Sequence, residues 1–357
     1  MNLENSAVRS LPAPEYSEEE LDKIFQYFMT LKSDLIREFL SGKDLQKSGT
    51  KSDLAELISK YLQDGDITYS DLVNYLDTVT PYMKQHIHIF DGPESRVLDS
   101  WRDPAKVSDL LKRNNLIELL NSRLPLILPQ SLSISSIVYL PEKTLTVYSV
   151  ERREYFERRE EYDKKIIENG EEIELRAHCH NIGRGFVIFR WDLIENTALL
   201  QISQLESGSD YEQVVENFSQ LVQPWLDLSI FQKLDLRRVI TKLNELEQQG
   251  HPEARSHSFG YETHGGRLLS AQSPNYQYSV FGEQEVDPTL KALLEYGIGH
   301  LGNFYWLPAS KNPDNGNPLE KDIHTVIVGH KQRINFTTPN KKGDMEYVLS
   351  RVRALSN

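Results

Sequence analysis

A short polar stretch, Ser48-Gly49-Thr50-Lys51-Ser52, has residue types and a spacing suited to holding a phosphate group. Gly49 permits a tight or left-handed backbone, and Ser48 or Thr50 can cap a helix that follows. The free N–H groups of the first helical turn, the helix dipole and the Lys51 ammonium then point the same way. The predicted anion-binding residues are Lys43, Lys47, Gly49, Thr50, Lys51 and Ser52.

Two short amphipathic helices must position this stretch. Residues 34–40 and 51–62 each carry apolar residues at helical spacing. The apolar positions that would pack one helix on the other are Leu35, Phe39, Leu45, Leu54 and Ile58. A helical hairpin with no role beyond the fold is the simpler interpretation of the same pattern.

On these residues, the segment 32–63 resembles the SAP-like module, and the Ser-Gly-x-Lys core at positions 48–51 is the specific part of the match. The resemblance implies a small helix–turn–helix unit that contacts DNA, and in some members RNA or a protein partner. Modules of this kind often accompany mobile-element or phage-defence genes. A strong non-specific nucleic-acid binder has a large excess of basic residues, whereas this segment contains six basic and five acidic residues.

A histidine pair offers a second kind of chemistry. His178 and His180 lie two residues apart in a segment that alternates apolar and polar residues, so one strand would place them on a face with Glu174. Such a pair can hold a divalent metal if a carboxylate or third histidine completes the site. Distant candidates for that role are Asp192, His324 and His330. The alternative is a set of solvated histidines. The segment 86–88, His-Ile-His, is a weaker candidate for a metal site because it is expected in a loop.

Two further segments carry clustered charge. Residues 151–165 read ERREYFERREEYDKK, which allows a nucleic-acid arm of arginines and aromatic rings. Because six acidic and six basic residues cancel, we favour a protruding hairpin or helix with Glu154–Arg158 and Glu160–Lys164 pairs. A secondary basic patch for phosphate or an acidic partner comprises Lys331, Arg333, Lys341, Lys342, Arg351 and Arg353. A basic solvated helix explains that patch equally well.

Composition and missing motifs argue against several classes of protein. Lys and Arg total 40 against 53 Asp and Glu, a net charge of −13, so bulk positive charge does not drive nucleic-acid binding. Cys179 is the only cysteine and is expected to face the core. No apolar run approaches the ~20 residues of a membrane helix. Phosphate-loop, nucleophile-elbow and zinc-protease motifs are missing. We therefore expect a non-enzymatic intracellular protein without a cofactor, cytoplasmic or associated with the nucleoid or nucleus.

Hydrophobic periodicity divides the chain into three parts. Residues 1–18 are acidic with two prolines, which predicts a poorly ordered leader. Residues 19–128 show helical spacing throughout, starting with a capping box at Ser17. Residues 129–357 change to period two, with an Asn169-Gly170 turn signal and later helices. The predicted fold class is α+β: a helical N-terminal domain with the SAP-like hairpin, then an antiparallel-sheet domain with flanking helices.

These features favour a non-enzymatic adaptor or sensor whose SAP-like module contacts DNA or RNA phosphates. The larger domain would bind a protein partner or self-associate as a homo-oligomer. Two alternatives stay open. One is a protein–protein scaffold that does not bind nucleic acid, and the other is a metal-dependent nuclease or hydrolase that uses His178 and His180.

Overall fold

In the computed structural model, the chain divides into two compact units. The structure describes residues 16–125, 128–206, 209–313 and 316–356. The helical unit comprises the described residues up to Thr80 together with Pro125. The sheet unit comprises residues 81–124 and the described residues from Leu128 onwards. Most of the predicted leader, residues 1–18, lies outside the described residues.

Within its described residues, the helical unit contains four α-helices. They are α1 (Glu18–Thr30), α2 (Ser33–Ser41), α3 (Lys51–Asp64) and α4 (Tyr69–Val79). Three of them begin at a hydroxyl side chain that accepts the N–H of an acidic residue three positions on, while that residue's carboxylate accepts the cap's own N–H. These caps are Ser17, Thr50 and Thr68, and the capping box predicted at Ser17 is confirmed.

An aromatic cluster holds α1, α2 and α4 together. The ring centroid of Phe39 lies 5.0 Å from that of Phe28 and 5.1 Å from that of Tyr75. The Tyr75 hydroxyl donates to the Leu35 carbonyl at 2.8 Å, which satisfies the polar end of the ring. Of the apolar positions predicted to pack the hairpin, Phe39, Leu54 and Ile58 are buried, and Leu35 and Leu45 are half-buried. The predicted helical hairpin of α2 and α3 is confirmed.

The sheet unit is built on one large antiparallel sheet. Its strands are β1 (Gln85–Asp91), β2 (Ser133–Leu140), β3 (Thr144–Arg158), β6 (His178–Asp192), β7 (Thr197–Ser203), β8 (Gln232–Lys233), β9 (Ala254–Thr263), β10 (Leu268–Gln272), β11 (Gly297–Trp306), β12 (Ile323–Val328) and β13 (Arg333–Phe336); β4 (Lys164–Glu168) and β5 (Glu171–Leu175) form a separate pair. The spatial order is β10-β9-β11-β12-β13-β1-β7-β6-β3-β2, and β8 also pairs with β1. The α+β fold class is confirmed.

Helices cover both faces of this sheet. They are α5 (Ser95–Arg102), α6 (Pro104–Arg113), α7 (Tyr211–Val222), α8 (Leu236–Gln248), α9 (Asp287–Tyr296) and α10 (Lys342–Ser356). One apolar core joins α5, α6 and α7 to β2, β3, β6 and β7, and includes Phe90 of β1. A second core joins α8, α9 and α10 to β9 and β11–β13, and includes Ile87 and Ile89. Because successive strand residues point to opposite faces, the two cores lie on opposite sides of β1.

Strand β1 corrects the prediction that residues 19–128 contain only helices. It lies at the centre of the sheet between β7 and β13, and residues 85–90 are all buried. A strand that is buried on both faces loses the alternation that identifies strands in a sequence. The prediction of a loop at residues 86–88 is wrong for the same reason. The sheet unit accordingly begins at Pro81.

Strands β3 and β6 form a long ribbon that extends beyond the rest of the sheet. They pair from Thr144↔Asp192 to Arg158↔His178, whereas β2 pairs with β3 only as far as Val150. We call residues 151–185 the arm. Its tip is the β4–β5 hairpin, and the Asn169-Gly170 turn has positive φ angles of 53° and 85°. The hairpin predicted at this turn is confirmed.

Candidate nucleic-acid interface

The start of α3 is built by a capping box between Thr50 and Asp53. The Asp53 carboxylate accepts the Thr50 N–H at 2.7 Å and the Thr50 hydroxyl at 2.9 Å. In return, the Asp53 N–H donates to Thr50 Oγ1 at 3.4 Å. The predicted capping role of Thr50 is confirmed, and Asp53 is the partner that the sequence interpretation missed. The signal was present, since a hydroxyl residue followed three positions later by an acid is a capping pattern.

Gly49 makes the tight approach between the two helices possible. Its φ is +116°, and a Cβ atom built there would lie 2.6 Å from the Cβ of Asp53. The Gly49 carbonyl accepts a hydrogen bond from Arg37 Nη2 at 3.0 Å, which links α2 to the connector. The expected tight or left-handed backbone at this glycine is confirmed.

The three lysines of the predicted site differ in what they contact. Lys43 Nζ lies 2.7 Å from the Asp71 carboxylate on α4. Lys47 Nζ donates to the Ser41 hydroxyl at 2.7 Å. Lys51 is exposed at the first position of α3, directly before Ser52, which is also exposed. Only Lys51 therefore combines an exposed ammonium with the open end of the helix.

The backbone at this helix end retains hydrogen-bonding capacity. The first hydrogen bond within the helix runs from the Leu54 N–H to the Thr50 carbonyl at 3.0 Å. The N–H groups of Lys51 and Ser52 come before it and therefore have no acceptor within the helix. Hydrogen bonds from Thr50 hold the pKa of the Asp53 carboxyl below its usual range, with the backbone N–H as the larger cause. Asp53 is therefore ionised at neutral pH and lies at the same positive helix end that a phosphate would use.

Charge is unevenly distributed along the helical unit. Residues 16–80 contain seven basic and thirteen acidic residues, a net charge of −6. Between Lys32 and Lys51, in contrast, five basic residues outnumber three acidic ones. The positive part of the unit is thus confined to α2, the connector and the start of α3, and acidic residues dominate α1 and α4.

The secondary basic patch is largely neutralised in the folded sheet unit. The ion pairs are Lys331–Glu212, Arg333–Glu212, Lys341–Glu320, Lys342–Glu346, Arg351–Glu253 and Arg353–Asp91. The strongest is bidentate, with Arg351 Nε and Nη2 at 2.7 and 2.6 Å from the two Glu253 oxygens. Every predicted member of the patch therefore lies beside a carboxylate.

The central strand carries a buried polar cluster instead of the expected loop. The ring of Tyr211 contacts the imidazole of His86, with centroids 3.8 Å apart, and the guanidinium of Arg333, whose carbon lies 4.6 Å from the ring centroid. His88 is fully buried, and its Nδ1 lies 3.0 Å from the Gln332 carbonyl. Burial lowers the pKa of both histidines to about 3, and the positive charge of Arg333 acts in the same direction. Both imidazoles are therefore neutral near pH 7.

The single strand predicted through Glu174, His178 and His180 is wrong. Asp163 accepts the Ala177 N–H at 2.9 Å, and Arg158 donates to the Ala177 carbonyl at 3.1 Å, which separates β5 from β6. His180 contacts Glu154 across the ribbon at 2.9 Å. In the ranges that the structure describes, no three His, Cys, Asp or Glu side chains come together as a metal-ligand set.

The remaining candidate ligands have other partners. His324 lies between the Thr337 hydroxyl at 2.6 Å and the Asn303 side-chain oxygen at 2.5 Å. His330 stacks on His300 with ring centroids 3.9 Å apart. Asp192 accepts the N–H groups of residues 194 and 195. These contacts give each side chain a role within the fold.

The mixed-charge run forms part of the arm. Of the hairpin and the helix that the sequence allowed, the structure forms the hairpin, and its ion pairs differ from the predicted ones because β3 continues as a strand to Arg158. The pairs include Arg152–Glu154, Arg153–Glu151, Arg158–Asp163 and Arg159–Glu161. Cys179 is half-buried on the arm, so the expectation that it faces the core is wrong.

No protein-family model matches the chain, and a search of curated proteins found no match. The resemblance to the SAP-like module therefore depends on the hairpin residues themselves. Among the described residues, every helix is too short or too polar to cross a lipid bilayer.

Proposed function

We propose that the protein is a non-enzymatic intracellular adaptor or sensor whose helical unit contacts DNA or RNA phosphates through the start of α3. The observation that supports this most directly is the exposed Lys51 and Ser52 pair on a helix end that begins at Thr50. The first-turn N–H groups and the Lys51 ammonium both attract a phosphate oxygen. The sheet unit would then bind a protein partner or a second copy of the chain.

The contacts within the helical unit indicate how much each lysine should contribute to phosphate binding. Lys51 is expected to contribute most, because its ammonium is exposed beside the helix end. Lys47 already donates to the Ser41 hydroxyl, and the charge of Lys43 is already paired with the Asp71 carboxylate, so each has less to gain from a phosphate. Lys43 should therefore contribute least, because it exchanges one anionic partner for another.

Asp53 opposes the proposed contact. Its ionised carboxylate lies at the helix end and repels a phosphate while it caps the helix. Asp53→Asn removes the charge and keeps a side-chain oxygen that can accept the Thr50 N–H. We expect this variant to bind nucleic acid more tightly than the natural protein, whereas a purely structural hairpin would show no gain.

The test is a fluorescence anisotropy titration with labelled duplex DNA and single-stranded RNA at about 50 and about 200 mM salt. Lys51→Glu should lower the affinity about tenfold and reduce the salt slope by about one. Lys60→Glu is the matched control, because it makes the same charge change at an exposed position later in α3. If Lys51→Glu and Lys47→Glu bind like the natural protein, the hairpin is structural.

The scaffold alternative is favoured by a separate observation, the net charge of −6 over residues 16–80. An acidic unit repels nucleic acid at long range, and only a local positive surface can offset this. A scaffold predicts no salt-dependent affinity for either nucleic acid. A pull-down from native extract would then recover the same proteins with and without nuclease treatment.

A further inference from the structure

The tip of the arm is a two-stranded sheet with an open edge. β4 pairs with β5 from Lys164↔Leu175 to Glu168↔Glu171, and no strand among the described residues lies along its other edge. All five residues of β4 are exposed. A two-stranded sheet alone is marginally stable in water, and an open strand edge is a template for another strand. The tip therefore has the geometry of an incomplete sheet.

Apolar side chains are concentrated at this tip. Ile167 is 81% exposed and Leu175 is 47% exposed, and Ile166 lies opposite Ile173 on the same face of the hairpin as Leu175. Tyr162, two residues before β4, is 62% exposed. Ile167 projects from the other face, so the contiguous apolar group consists of Ile166, Ile173 and Leu175. Isolated exposed apolar residues are ordinary, but such a group on a projecting element marks an interaction surface.

The sequence of β4 is complementary to itself when reversed. It reads Lys-Lys-Ile-Ile-Glu from residue 164 to 168. If a second β4 runs antiparallel with Ile166 at the centre, each Lys164 lies directly opposite Glu168 of the other copy. Opposite charges at directly facing positions stabilise a strand pair. In this register Ile166 faces its own counterpart, so the apolar faces of the two hairpins become continuous.

The backbone of β4 supports the same register. The residues that flank a two-residue turn form a hydrogen-bonded pair, and such pairs alternate along the hairpin. Because Glu168 and Glu171 flank the Asn169-Gly170 turn, Ile166 and Lys164 also bond towards β5. The N–H and C=O groups of Lys165 and Ile167 then point to the open edge. Pairing about Ile166 places Lys165 opposite Ile167 of the other copy, so these outward groups satisfy one another.

We infer that the arm is a dimerisation element, in which β4 pairs antiparallel with β4 of a second copy of this chain about Ile166. The result is a four-stranded sheet with order β5-β4-β4-β5 and two Lys164–Glu168 pairs between copies. The contact is isologous and closes after two chains. It is independent of the proposed nucleic-acid contact, since it uses no residue of the helical unit.

The opposite edge of the hairpin is unsuited to the same pairing. β5 reads Glu-Glu-Ile-Glu-Leu, and an antiparallel pair about Ile173 would place Glu172 opposite Glu174 of the other copy. Facing carboxylates destabilise a strand pair. Pairing β4 with β5 of another copy in the intramolecular register would place Glu168 opposite Glu171, a repulsion that offsets the attraction between Lys165 and Glu174. Charge therefore favours the β4–β4 contact over both alternatives.

Sedimentation equilibrium and light scattering of the full chain test the inference. From about 1 to about 100 μM, the natural protein should approach twice the 41.3 kDa chain mass. Lys164→Glu and Glu168→Lys should each raise the dimer dissociation constant about tenfold or more, because both symmetric pairs change from attraction to repulsion. The double variant Lys164→Glu/Glu168→Lys should restore the natural value. A mixture of the two single variants should also form heterodimers.

A backbone variant gives a second readout. Ile167→Pro removes an N–H at the open edge and leaves the predicted bonds to β5 in place, so it should yield monomers. The inference is overturned if the natural protein is monomeric throughout this concentration range. It is equally overturned if a dimer forms whose dissociation constant is unchanged by both single charge reversals.

Discussion

The two ends of the β3–β6 ribbon share one antiparallel ladder and differ in what packs against it. In the inner part, Val147 and Phe189 are fully buried, and the Phe189 ring lies 5.3 Å from that of Phe231. In the arm, Phe156 is 67% exposed, and contacts such as Arg158–Asp163 replace apolar packing. The hydrogen-bond pattern is therefore the same at both ends, but only the inner part buries enough apolar area to stabilise itself.

The two ends of the ribbon are expected to serve different purposes, folding at the inner end and association at the arm. Side chains in the inner ribbon should determine the free energy of unfolding of the sheet unit. Side chains on the arm should affect local order and the proposed dimer, and leave that free energy almost unchanged. The following substitutions test this division at matched positions.

The largest effect is expected from truncating one phenylalanine at each end. Phe189→Ala should lower the free energy of unfolding by about 3–5 kcal/mol, because it leaves a cavity in a fully buried position. Phe156→Ala should change it by less than about 0.5 kcal/mol. Urea denaturation followed by tryptophan fluorescence measures both. Equal losses would show that the arm is an integral part of the folded core.

Acid should destabilise the inner sheet through its buried histidines. His88 has a pKa of about 3 in the folded protein and an ordinary value near 6.5 once unfolded. The unfolded state therefore binds more protons between those values, and stability falls as pH decreases through this window. Each proton that is taken up on unfolding lowers the free energy of unfolding by up to about 1.4 kcal/mol for every pH unit of acidification.

His88→Gln should make the free energy of unfolding depend less steeply on pH, by the contribution of one proton. The measurement is urea denaturation at several pH values between about 4 and about 7. His178→Gln changes an exposed histidine of the arm to the same residue, so it controls for the new side chain. An unchanged slope in His88→Gln would mean that His88 accepts its proton without unfolding.

The smallest effect is expected at the tip of the arm. Gly170 has a φ of +85°, and an alanine there adopts the left-handed region at a cost of about 1 kcal/mol. Gly170→Ala should speed hydrogen exchange of the β4 and β5 amides about fivefold, with the global unfolding free energy unchanged. If the substitution also lowered global stability, the tip and the core would unfold as one unit.

Features that depend on neighbouring residues could be predicted from the sequence. The Asn169-Gly170 turn, the helix cap at Ser17, and the glycine between α2 and α3 all follow from a few adjacent positions. Strand β1 could not be predicted, because its partners β7 and β13 and the helices that bury its two faces lie at distant positions in the chain. Helices, strands and turns could be predicted where adjacent residues specify them.

The same distinction applies to the candidate site. Thr50 and Gly49 have the roles that their types and spacing predicted. The Lys43–Asp71 pair joins residues on different elements, and no local pattern predicts it. The same is true of the carboxylates that neutralise the secondary basic patch. A cluster of basic residues in a sequence therefore predicts a binding surface only where acidic partners from distant elements are lacking.

The position of β1 has a consequence for the order in which the protein is made. Ile87 lies beside Gln201 on one neighbouring strand and beside Ile334 on the other. A nascent chain therefore presents β1 long before the ribosome has completed β13, so residues 85–87 lack their partner on that side until synthesis is nearly finished. Translation that stops before Arg333 would leave Ile87 and Ile89 without α10, and such fragments should aggregate or require a chaperone.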